Sequence, residues 1–267
     1  VLRSRGYHFV EPDEGELACG TVGPGRLAEV GKILEMARIV LSEKPLAGKK
    51  VVVSAGPTAE PIDPVRFVSN RSSGKMGFAM ARAACRMGAQ VTLVSGPGYL
   101  PSPPFLTTIR VRTAEEMYSA VSLAAADADA VVMCAAVADF KAKKTALAKI
   151  KKDSFDHRLE LSPTVDILES LGKKKGKRIL VGFAAETDDL ATNAREKMRR
   201  KNLDAIVAND VSRAEIGFES DDNEVRIFFP DGEIHVFDID HGHERIARLA
   251  VPEATLIRGV AAHAASH

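Results

Sequence analysis

A long loop, residues 54–77, contains residue types that could bind a negatively charged ligand. Val51–Val53 precedes it as an apolar strand, and an Ala-rich helical pattern follows from Phe78 to Met87. A junction from strand to helix exposes backbone N–H groups and the positive end of the helix dipole, and both favour an anion. The Ser- and Gly-rich end of the loop, residues 72–77, is therefore predicted to bind phosphate.

Neither of the two common glycine templates fits this region. A Walker A loop fails because Ser69 stands at the first glycine position, and Met76 stands where a Ser or Thr should bind magnesium. The dinucleotide fingerprint fails at residues 96–98, because Pro101 occupies the place of the third glycine. The loop glycines are also compatible with close helix–strand packing and no ligand at all.

Small and polar residues follow two later predicted strands. The segment Cys134–Asp139 (CAAVAD) comes directly after one of them, and Phe183 closes the next. In open α/β sheets the carboxyl ends of the strands line the ligand crevice. Small residues there let a flat base approach the backbone, Asp139 could bond ribose or base, and Phe183 could stack on the base. A tight strand end capped by Asp, and a core Phe, are the structural alternatives.

Lysines are concentrated in a loop and on a helix. The sequence KIKK at 149–152 lies in a Lys-rich loop that starts at Lys141. Such a run is usually a solvated surface, whereas a mobile cationic loop that closes over phosphates is the functional alternative. Lys197 and Lys201 lie four residues apart and so share one helix face. There they would neutralise a triphosphate, unless the helix is simply solvated.

The elements around these residues alternate between strands and helices. This alternation predicts a Rossmann-like, mostly parallel α/β sheet flanked by helices. Pro230-Asp231-Gly232, between strands at 224–229 and 233–237, predicts a C-terminal β-hairpin, and a last helix is predicted at 243–249. The other predicted strands are Val51–Ser54, Val91–Ser95, Ala130–Cys134, Ile179–Phe183 and Ala205–Ala208, and the helices are Leu27–Leu41, Lys75–Met87, Ala114–Ala126, Val165–Leu171 and Leu190–Asn202.

Composition excludes several classes of function. A chain of 267 residues with 45% apolar content can bury a substantial core. Its net charge of +1 gives no global attraction to nucleic acid or to an anionic membrane. No apolar run is long enough to span a bilayer, and residues 1–6 lack the apolar core of a signal peptide. The widely spaced Cys19, Cys85 and Cys134 predict reduced thiols in a cytoplasmic protein rather than disulfides or a zinc site.

Taken together, the motifs resemble bacterial-type phosphopantothenoylcysteine synthetase, the second half of the bifunctional coenzyme A biosynthesis protein. The resemblance extends from about Gly48 to Leu249. It is carried by the segments SAGPTAEPIDPVRFVSNRSSGKMG, VTLVSGP, CAAVADF, KIKK, GFAAET, KMRRKNLDAIVAND and GF…DDNEV.

A second resemblance concerns the N-terminal part. Residues 17–26, LACGTVGPGR, look like the end of the flavin-dependent decarboxylase half, whose flap Cys is matched by Cys19. FMN would then belong to a missing upstream domain, the chain would be a fragment of a longer protein, and no decarboxylase activity is expected. The implied division is a decarboxylase remnant with a linker helix at 1–47, a synthetase domain at 48–250 and an Ala-rich tail at 251–267.

The resemblance implies a CTP-dependent ligation of 4′-phosphopantothenate with L-cysteine. The carboxylate attacks the α-phosphate of CTP, pyrophosphate leaves and an acyl-cytidylate forms; the amine of cysteine then displaces CMP and gives the amide. Mg²⁺ or Mn²⁺, with ligands not assigned, would offset the charge of the triphosphate. The resemblance also implies a homodimer, or a higher oligomer in a full-length bifunctional protein, with no nucleic-acid or membrane partner.

Individual roles follow from the same resemblance. Lys149 matches an essential Lys on a flexible loop and is assigned to the substrate or phosphate charge during acyl transfer. Asn70 matches an essential Asn whose amide would hold the acyl carbonyl during attack by cysteine. The other matched residues are expected to bind CTP: Gly56, Ser73 and Gly74 under the phosphates, with Ala135, Asp139, Val165, Asp166, Ile167, Leu168, Phe183, Lys197 and Lys201 around the nucleotide.

Two alternatives of other classes stay open from the residues alone. A nicotinamide-dependent oxidoreductase would explain the βαβ order, but the chain lacks the glycine fingerprint, and Ser122 rather than Lys follows Tyr118 at the Tyr-x-x-x-Lys spacing. A non-catalytic nucleotide-binding module would use the crevice, yet it has no evident use for Asn70 together with a Lys-rich lid. Spacing alone also does not distinguish CTP from ATP.

Overall fold

A computed structural model of the chain describes residues 1–17, 19–152, 158–186, 190–210, 225–230 and 234–237. The helices are α1 (Val30–Leu41), α2 (Lys75–Arg86), α3 (Ala114–Ala124), α4 (Ile167–Lys173) and α5 (Leu190–Arg200), with 3-10 turns at Arg3–Arg5 and Ala125–Asp127. The strands are β1 (Asp13–Glu16), β2 (Val22–Arg26), β3 (Lys50–Ala55), β4 (Ala59–Pro61), β5 (Phe67–Ser69), β6 (Gln90–Ser95), β7 (Thr107–Arg110), β8 (Ala130–Met133), β9 (Phe140–Ala142), β10 (Leu161–Pro163), β11 (Ile179–Glu186), β12 (Ala205–Asp210), β13 (Val225–Phe228) and β14 (Ile234–Phe237).

The main sheet contains eight of the described strands in the order β14-β13-β12-β11-β8-β3-β6-β7. Every neighbouring pair from β12 to β7 is parallel, and β13 and β14 add an antiparallel hairpin at one edge. The chain starts this sheet at β3, proceeds outward through β6 to β7, and then returns to place β8 on the other side of β3. The direction of winding therefore reverses between β3 and β8, which is where doubly wound folds bind their ligands.

Both faces of the central parallel strands are buried, whereas the edge strand β7 has no buried residue. Val51 and Val53 belong to the cluster under α2, whereas Val52, between them, belongs to the cluster under α3, α4 and α5. Successive side chains of a strand point to opposite faces, so a strand covered on both sides must be apolar without interruption. This requirement explains why the short apolar runs of the sequence predicted these strands.

Three small antiparallel sheets, β1–β2, β4–β5 and β9–β10, were not predicted. The β4–β5 and β9–β10 strands have three residues each, which is too short to show an alternating pattern, and β9 pairs with a strand distant in sequence. The edge strand β7 was also missed. The predicted helix at 243–249 lies outside the described residues, and no helix within them is long and apolar enough to cross a membrane.

The N-terminal segment is joined to the sheet through α1. Arg86 of α2 donates from Nε and Nη2 to the two carboxylate oxygens of Glu35 at 2.7 and 2.6 Å, and both side chains are buried. Asp13 of β1 accepts from the backbone N–H of Glu29 at 2.9 Å and from Lys32 at 3.0 Å. The β1–β2 hairpin therefore lies at the start of α1, and α1 is fixed on α2 by a bidentate ion pair.

Candidate functional site

A crevice of about 840 Å³ opens at the carboxyl ends of β8 and β11, beside the end of β3. It lies at the point where the winding of the sheet reverses, as expected for a ligand site in this architecture. The crevice brings together most of the residues selected from the sequence: Asn70, Ser73, Gly74, Ala135, Asp139, Val165, Asp166, Ile167, Leu168, Phe183, Lys197 and Lys201. Gly56, Lys149 and Cys19 are not among its lining residues.

The loop that begins at Ser54 folds back on itself before it reaches the crevice. Its middle forms the β4–β5 hairpin, and the Ser69 hydroxyl then donates to the carbonyl of Thr58 at 2.6 Å. Asn70 follows, and its Nδ2 donates to the carbonyl of Val137 at 3.0 Å. The amide of Asn70 therefore joins this loop to the segment that follows β8.

Two glycines let α2 begin directly on the end of β3. Gly74, the residue before α2, has a left-handed φ of 76°, and a Cβ on it would lie 3.3 Å from the backbone of Gly56. A Cβ on Gly77 would lie 2.5 Å from the Cβ of Ala55 and 2.8 Å from the carbonyl of Ser54. Gly56 thus lies beneath the loop rather than on its surface. The close packing brings the N-terminal turn of α2 to the crevice, where the N–H groups of Gly74 and Lys75 donate to the hydroxyls of Ser72 and Ser73 at 3.3 and 3.4 Å.

Buried hydroxyls hold the segment that follows β8. Ser54 Oγ accepts from the N–H of Ala135 at 3.1 Å, and Thr58 Oγ1 accepts from the N–H of Ala138 at 3.0 Å. Thr164 donates from its N–H to the carbonyl of Asp139 at 2.9 Å. Small side chains and a fixed backbone leave a flat wall on this side, and Asp139 lies exposed at its end.

Two of the lysines that line the crevice, Lys197 and Lys201, have different partners. Lys201, which is 9% exposed, places Nζ 2.6 Å from a carboxylate oxygen of Asp166. Lys197 donates to the carbonyl of Phe183 at 3.4 Å. Much of the charge of Lys201 is therefore balanced within the protein.

Asp166 is also the N-terminal cap of α4, since it accepts from the N–H of Glu169 at 2.9 Å. Burial alone would raise the pKa of this carboxyl. The hydrogen bonds from Lys201 and from the Glu169 N–H, together with the charges of Lys201 and Arg200, outweigh burial and hold the pKa below its ordinary value. Asp166 is therefore charged at neutral pH.

Lys149 lies on the surface outside the crevice. The segment that carries it is attached to the β4–β5 hairpin: the N–H of Ala146 donates to the carbonyl of Ile62 at 2.9 Å, and Thr145 Oγ1 donates to that of Pro61 at 3.2 Å. Within the described part of the loop, the Lys-rich run is thus attached to the same loop that carries Asn70.

The three cysteines differ in their surroundings. Cys134 lines the crevice, and burial raises the pKa of its thiol to about 12. Burial likewise raises the pKa of Cys85. Cys19 is exposed on the β1–β2 hairpin, and the hydrogen bond with Thr21 Oγ1 at 3.1 Å lowers its pKa. Of the three, Cys19 is the most readily ionised.

Among the described residues, no group of three His, Cys, Asp or Glu side chains is arranged to hold a metal ion. Asp139 and Asp166 are the carboxylates that line the crevice, and Asp166 already has Lys201 as its partner. This donor set fits a magnesium ion held mainly by phosphate oxygens and water, which is the usual arrangement when the substrate is a nucleoside triphosphate.

Several contributors to the site were not selected from the sequence. The fully buried hydroxyls of Ser54 and Thr58 hold the backbone of the segment that follows β8. The N–H of Thr164 holds the carbonyl of Asp139 at the end of that segment. Ser54 and Thr58 lie inside the motif SAGPT that was recognised, so their polarity next to a buried strand was the available signal. Thr164 had no comparable signal, because its partner is 25 residues away in sequence.

Comparisons with known proteins identify the family of the chain and its fold. A family model described as the DNA/pantothenate metabolism flavoprotein C-terminal domain matches residues 46–251. The coenzyme A biosynthesis bifunctional protein CoaBC of Bacillus subtilis (strain 168) is 52% identical over 236 residues, which is 87% of this chain and 58% of that protein. A cysteine/cysteine sulfinic acid decarboxylase of an unknown prokaryotic organism is 45% identical over 264 residues, covering 96% of this chain and 74% of that protein.

A solved structure is also similar. The crystal structure of the C-terminal domain of coenzyme A biosynthesis bifunctional protein CoaBC has a TM-score of 0.68 and 40% sequence identity, and the match covers 80% of this chain and 97% of that one. It confirms the predicted Rossmann-like α/β fold. This chain spans less than two thirds of the length of the full bifunctional relative, but nearly all of the separately solved domain.

Proposed function

We propose a function from one premise: the chain belongs to the DNA/pantothenate metabolism flavoprotein C-terminal domain family. Within that family we propose that it joins 4′-phosphopantothenate to L-cysteine at the expense of CTP, through an acyl-cytidylate, in coenzyme A biosynthesis. The observation that carries the proposal is the single crevice that combines the N-terminal turn of α2, the wall after β8, Asn70 and two lysines.

The triphosphate occupies the crevice between α2 and α5. The N–H groups around Ser73 and Gly74 meet it from one side, where the helix dipole adds a partial positive charge. Lys197 and Lys201 meet it from the other side. Because a carboxylate must approach this anion, the N–H groups on one side and the lysines on the other lower the repulsion in the first step and stabilise the departing pyrophosphate.

The cytosine and ribose lie against the wall after β8. Ala135 and its small neighbours allow a flat ring to approach the backbone, and Phe183 lies within the adjacent strand β11, which continues to Glu186. The backbone of Val165–Leu168 and the carboxylate of Asp139 supply the polar contacts on the remaining sides. Fixed backbone groups of this kind distinguish the edge of cytosine from that of adenine.

Asn70 holds the reacting acyl group. It lies between the phosphate-binding loop and the wall for the nucleoside, which is where the bond between phosphate and acyl group must form. Its amide donates to the acyl oxygen as negative charge develops there during attack by the amine of cysteine. Lys149, which lies outside the crevice, approaches the anionic substrate from the neighbouring loop.

Magnesium supplies charge neutralisation at the triphosphate when it is bound. The residues of the chain orient the nucleotide around it, and the protein carboxylates contribute little to its coordination because Asp166 stays with Lys201.

The proposal includes a cytoplasmic homodimer. The side chains of Phe67, Phe140 and Leu161, on the adjoining small sheets β4–β5 and β9–β10, are about half exposed, at 53%, 54% and 47%. Apolar side chains grouped in this way favour burial against a second copy.

Pyrophosphate release tests the proposal directly. The chain is incubated with CTP, 4′-phosphopantothenate, Mg²⁺ and cysteine, and pyrophosphate and the amide product are measured. Continuous pyrophosphate release that needs all three substrates is expected, with one equivalent or less per active site when cysteine is omitted. Binding of CTP without pyrophosphate would indicate a nucleotide-binding module. Hydride transfer with NAD(P) would indicate an oxidoreductase, and CO₂ release from cysteine sulfinic acid would indicate a decarboxylase.

A further inference from the structure

The carboxylate of Asp63 connects the β4–β5 hairpin to the loop that carries Lys149. The side chain is fully buried although it lies in a surface turn, being 1% exposed. Its Oδ1 accepts from the backbone N–H groups of Val65 and Arg66, both at 2.8 Å. These two bonds build the turn of the hairpin and are local, as in many Asx turns.

The second oxygen of this carboxylate makes a contact far away in sequence. Oδ2 accepts from the N–H of Ile150 at 3.2 Å, and the guanidinium of Arg66, 3.6 Å from Oδ2, donates through Nη2 to the carbonyl of Ile150 at 3.0 Å. Both backbone polar groups of Ile150 are therefore bound by the hairpin. Since Ile150 directly follows Lys149, the backbone next to that lysine is fixed at this point.

We propose that Asp63 is a positioning residue for Lys149, acting through the backbone of Ile150. The inference deepens the proposed function and, for its catalytic part, rests on it. Asp63 touches no substrate. It lies on the same loop as Asn70, and it determines where the stem of the Lys149 side chain begins. A flexible lysine placed in this way loses less conformational freedom when it meets the anionic substrate.

A purely local role for Asp63 is the competing explanation, and the Asp63→Asn variant separates the two. The amide oxygen of Asn still accepts from Val65 and Arg66, and Asn is well tolerated in turns. Its NH₂ group then faces the N–H of Ile150 and the guanidinium of Arg66, so that the long-range bond and the ion pair with Arg66 are lost together while the turn is kept. Glu60→Gln is the matched control, because Glu60 is an equally buried carboxylate on β4 that accepts from the N–H of Ala114 at 2.8 Å, away from the Lys149 loop.

The first experiment does not depend on activity. Trypsin cleavage of the Lys149–Ile150 bond is followed by mass spectrometry in the full chain, since the N–H of that bond is the group that Asp63 binds. Loss of a hydrogen bond to a charged group predicts cleavage about tenfold faster in Asp63→Asn, with no change in Glu60→Gln. Equal cleavage in the wild type and Asp63→Asn would overturn the proposal. If Asp63→Asn does not fold, Asp63→Ser replaces it, because Ser also forms the turn but is too short to reach Ile150.

The second experiment is a double-mutant cycle on the rate of pyrophosphate release, with Lys149→Gln as the other variant. Asp63→Asn is expected to lower kcat in the wild-type background and to have no further effect in the Lys149→Gln background. The same fold reduction in both backgrounds would show a structural role and overturn the positioning role. If the wild type releases no pyrophosphate at all, the proposed function fails, while the cleavage comparison still decides whether Asp63 holds the Lys149 loop.

Discussion

Lys201 Nζ lies 2.6 Å from a carboxylate oxygen of Asp166 and so joins the end of α5 to the start of α4 at the crevice. Asp166 is at the same time the cap of α4. The pair therefore does two things: it fixes the relative position of two helices and it presents a cation whose charge is already partly balanced. Lys197, one turn earlier on α5, donates to the backbone carbonyl of Phe183 at 3.4 Å.

The ion pair predicts a stability effect at Lys201. Lys201→Gln leaves Asp166 without this cation, and we expect it to lower the free energy of unfolding by about 1 kcal/mol, a value kept small by the partial exposure of the carboxylate. Lys201→Arg, which keeps a cation beside Asp166, is expected to lose less stability. Lys201→Gln and Lys197→Gln should both bind CTP more weakly, because each removes a positive charge from the crevice. Urea denaturation and calorimetric titration with CTP measure the two effects, and equal stability losses in Lys201→Gln and Lys201→Arg would contradict the assignment.

Gly77 provides a test of the packing beneath the site. In Gly77→Ala the new methyl group would lie 2.5 Å from the Cβ of Ala55 and 2.8 Å from the carbonyl of Ser54, and neither atom can move without moving β3. We expect a loss of about 1–3 kcal/mol in the free energy of unfolding, since overpacking displaces α2 from the sheet. Gly98→Ala is the matched control, because its methyl group would meet nothing within 4 Å. Denaturation curves that show the same stability for both variants would be inconsistent with this packing.

The thiols should react in a fixed order. The thiolate is the nucleophile that attacks iodoacetamide and displaces iodide, so at pH 8 Cys19, whose pKa is lowered, reacts first. Cys134, with its pKa raised to about 12, should have only on the order of one part in ten thousand of its thiol ionised at that pH and should react very slowly. Peptide mapping after timed alkylation measures the order.

The reaction of Cys134 also reports on the crevice. Raising the pH increases its thiolate, so its alkylation should accelerate toward pH 10, and CTP should slow it because Cys134 lines the crevice. CTP should leave Cys19 unaffected. Protection of Cys19 but not of Cys134 would place the nucleotide elsewhere.

The sequence predicted the parallel strands β3, β6, β8, β11 and β12 because each contains a continuous apolar run, whereas the parallel edge strand β7, which reads TTIR, was missed. Val51–Val53, buried on both faces, has no other stable environment in a chain of this size. The same reasoning failed for β4 and β5. Each of these strands has only three residues, and β4 ends at Pro61. They are held by contacts such as the hydrogen bond from Ser69 to the Thr58 carbonyl, which no local sequence pattern encodes.

The sequence predicted which residues belong to the candidate site, but not the long-range contacts that position them. Ser73, Asp139 and Lys201 were selected from their types and spacing and Asn70 from the family resemblance, and the fold brings all four to one crevice. Lys149 was also selected from the resemblance, yet its position depends on the long-range bonds between Ile150 and the β4–β5 hairpin. Pairings of this kind depend on tertiary structure, so sequence spacing does not predict them.

Asn70→Asp is expected to separate the two chemical steps. The substitution replaces the NH₂ group that donates to the Val137 carbonyl, and that would donate to the acyl oxygen, by an acceptor with a negative charge. Formation of the acyl-cytidylate needs no donor at this position and should continue. Attack by cysteine should slow by about 10²–10³-fold, which is typical for the loss of one oxyanion donor. Rapid-quench measurements with labelled CTP follow the intermediate, CMP and the amide separately.

A direct structural effect of Asn70→Asp must be distinguished from the loss of the donor to the acyl oxygen. Repulsion between the new carboxylate and the carbonyl of Val137 could displace the wall after β8 and weaken nucleotide binding. Asn70→Ala, which removes the donor without adding charge, is the matched variant. If the donor role is correct, both variants accumulate the acyl-cytidylate and bind CTP as the wild type does. If Asn70→Ala converts the intermediate at the wild-type rate, the amide of Asn70 serves only to hold the Val137 segment, and the oxyanion contact must come from a backbone N–H group instead.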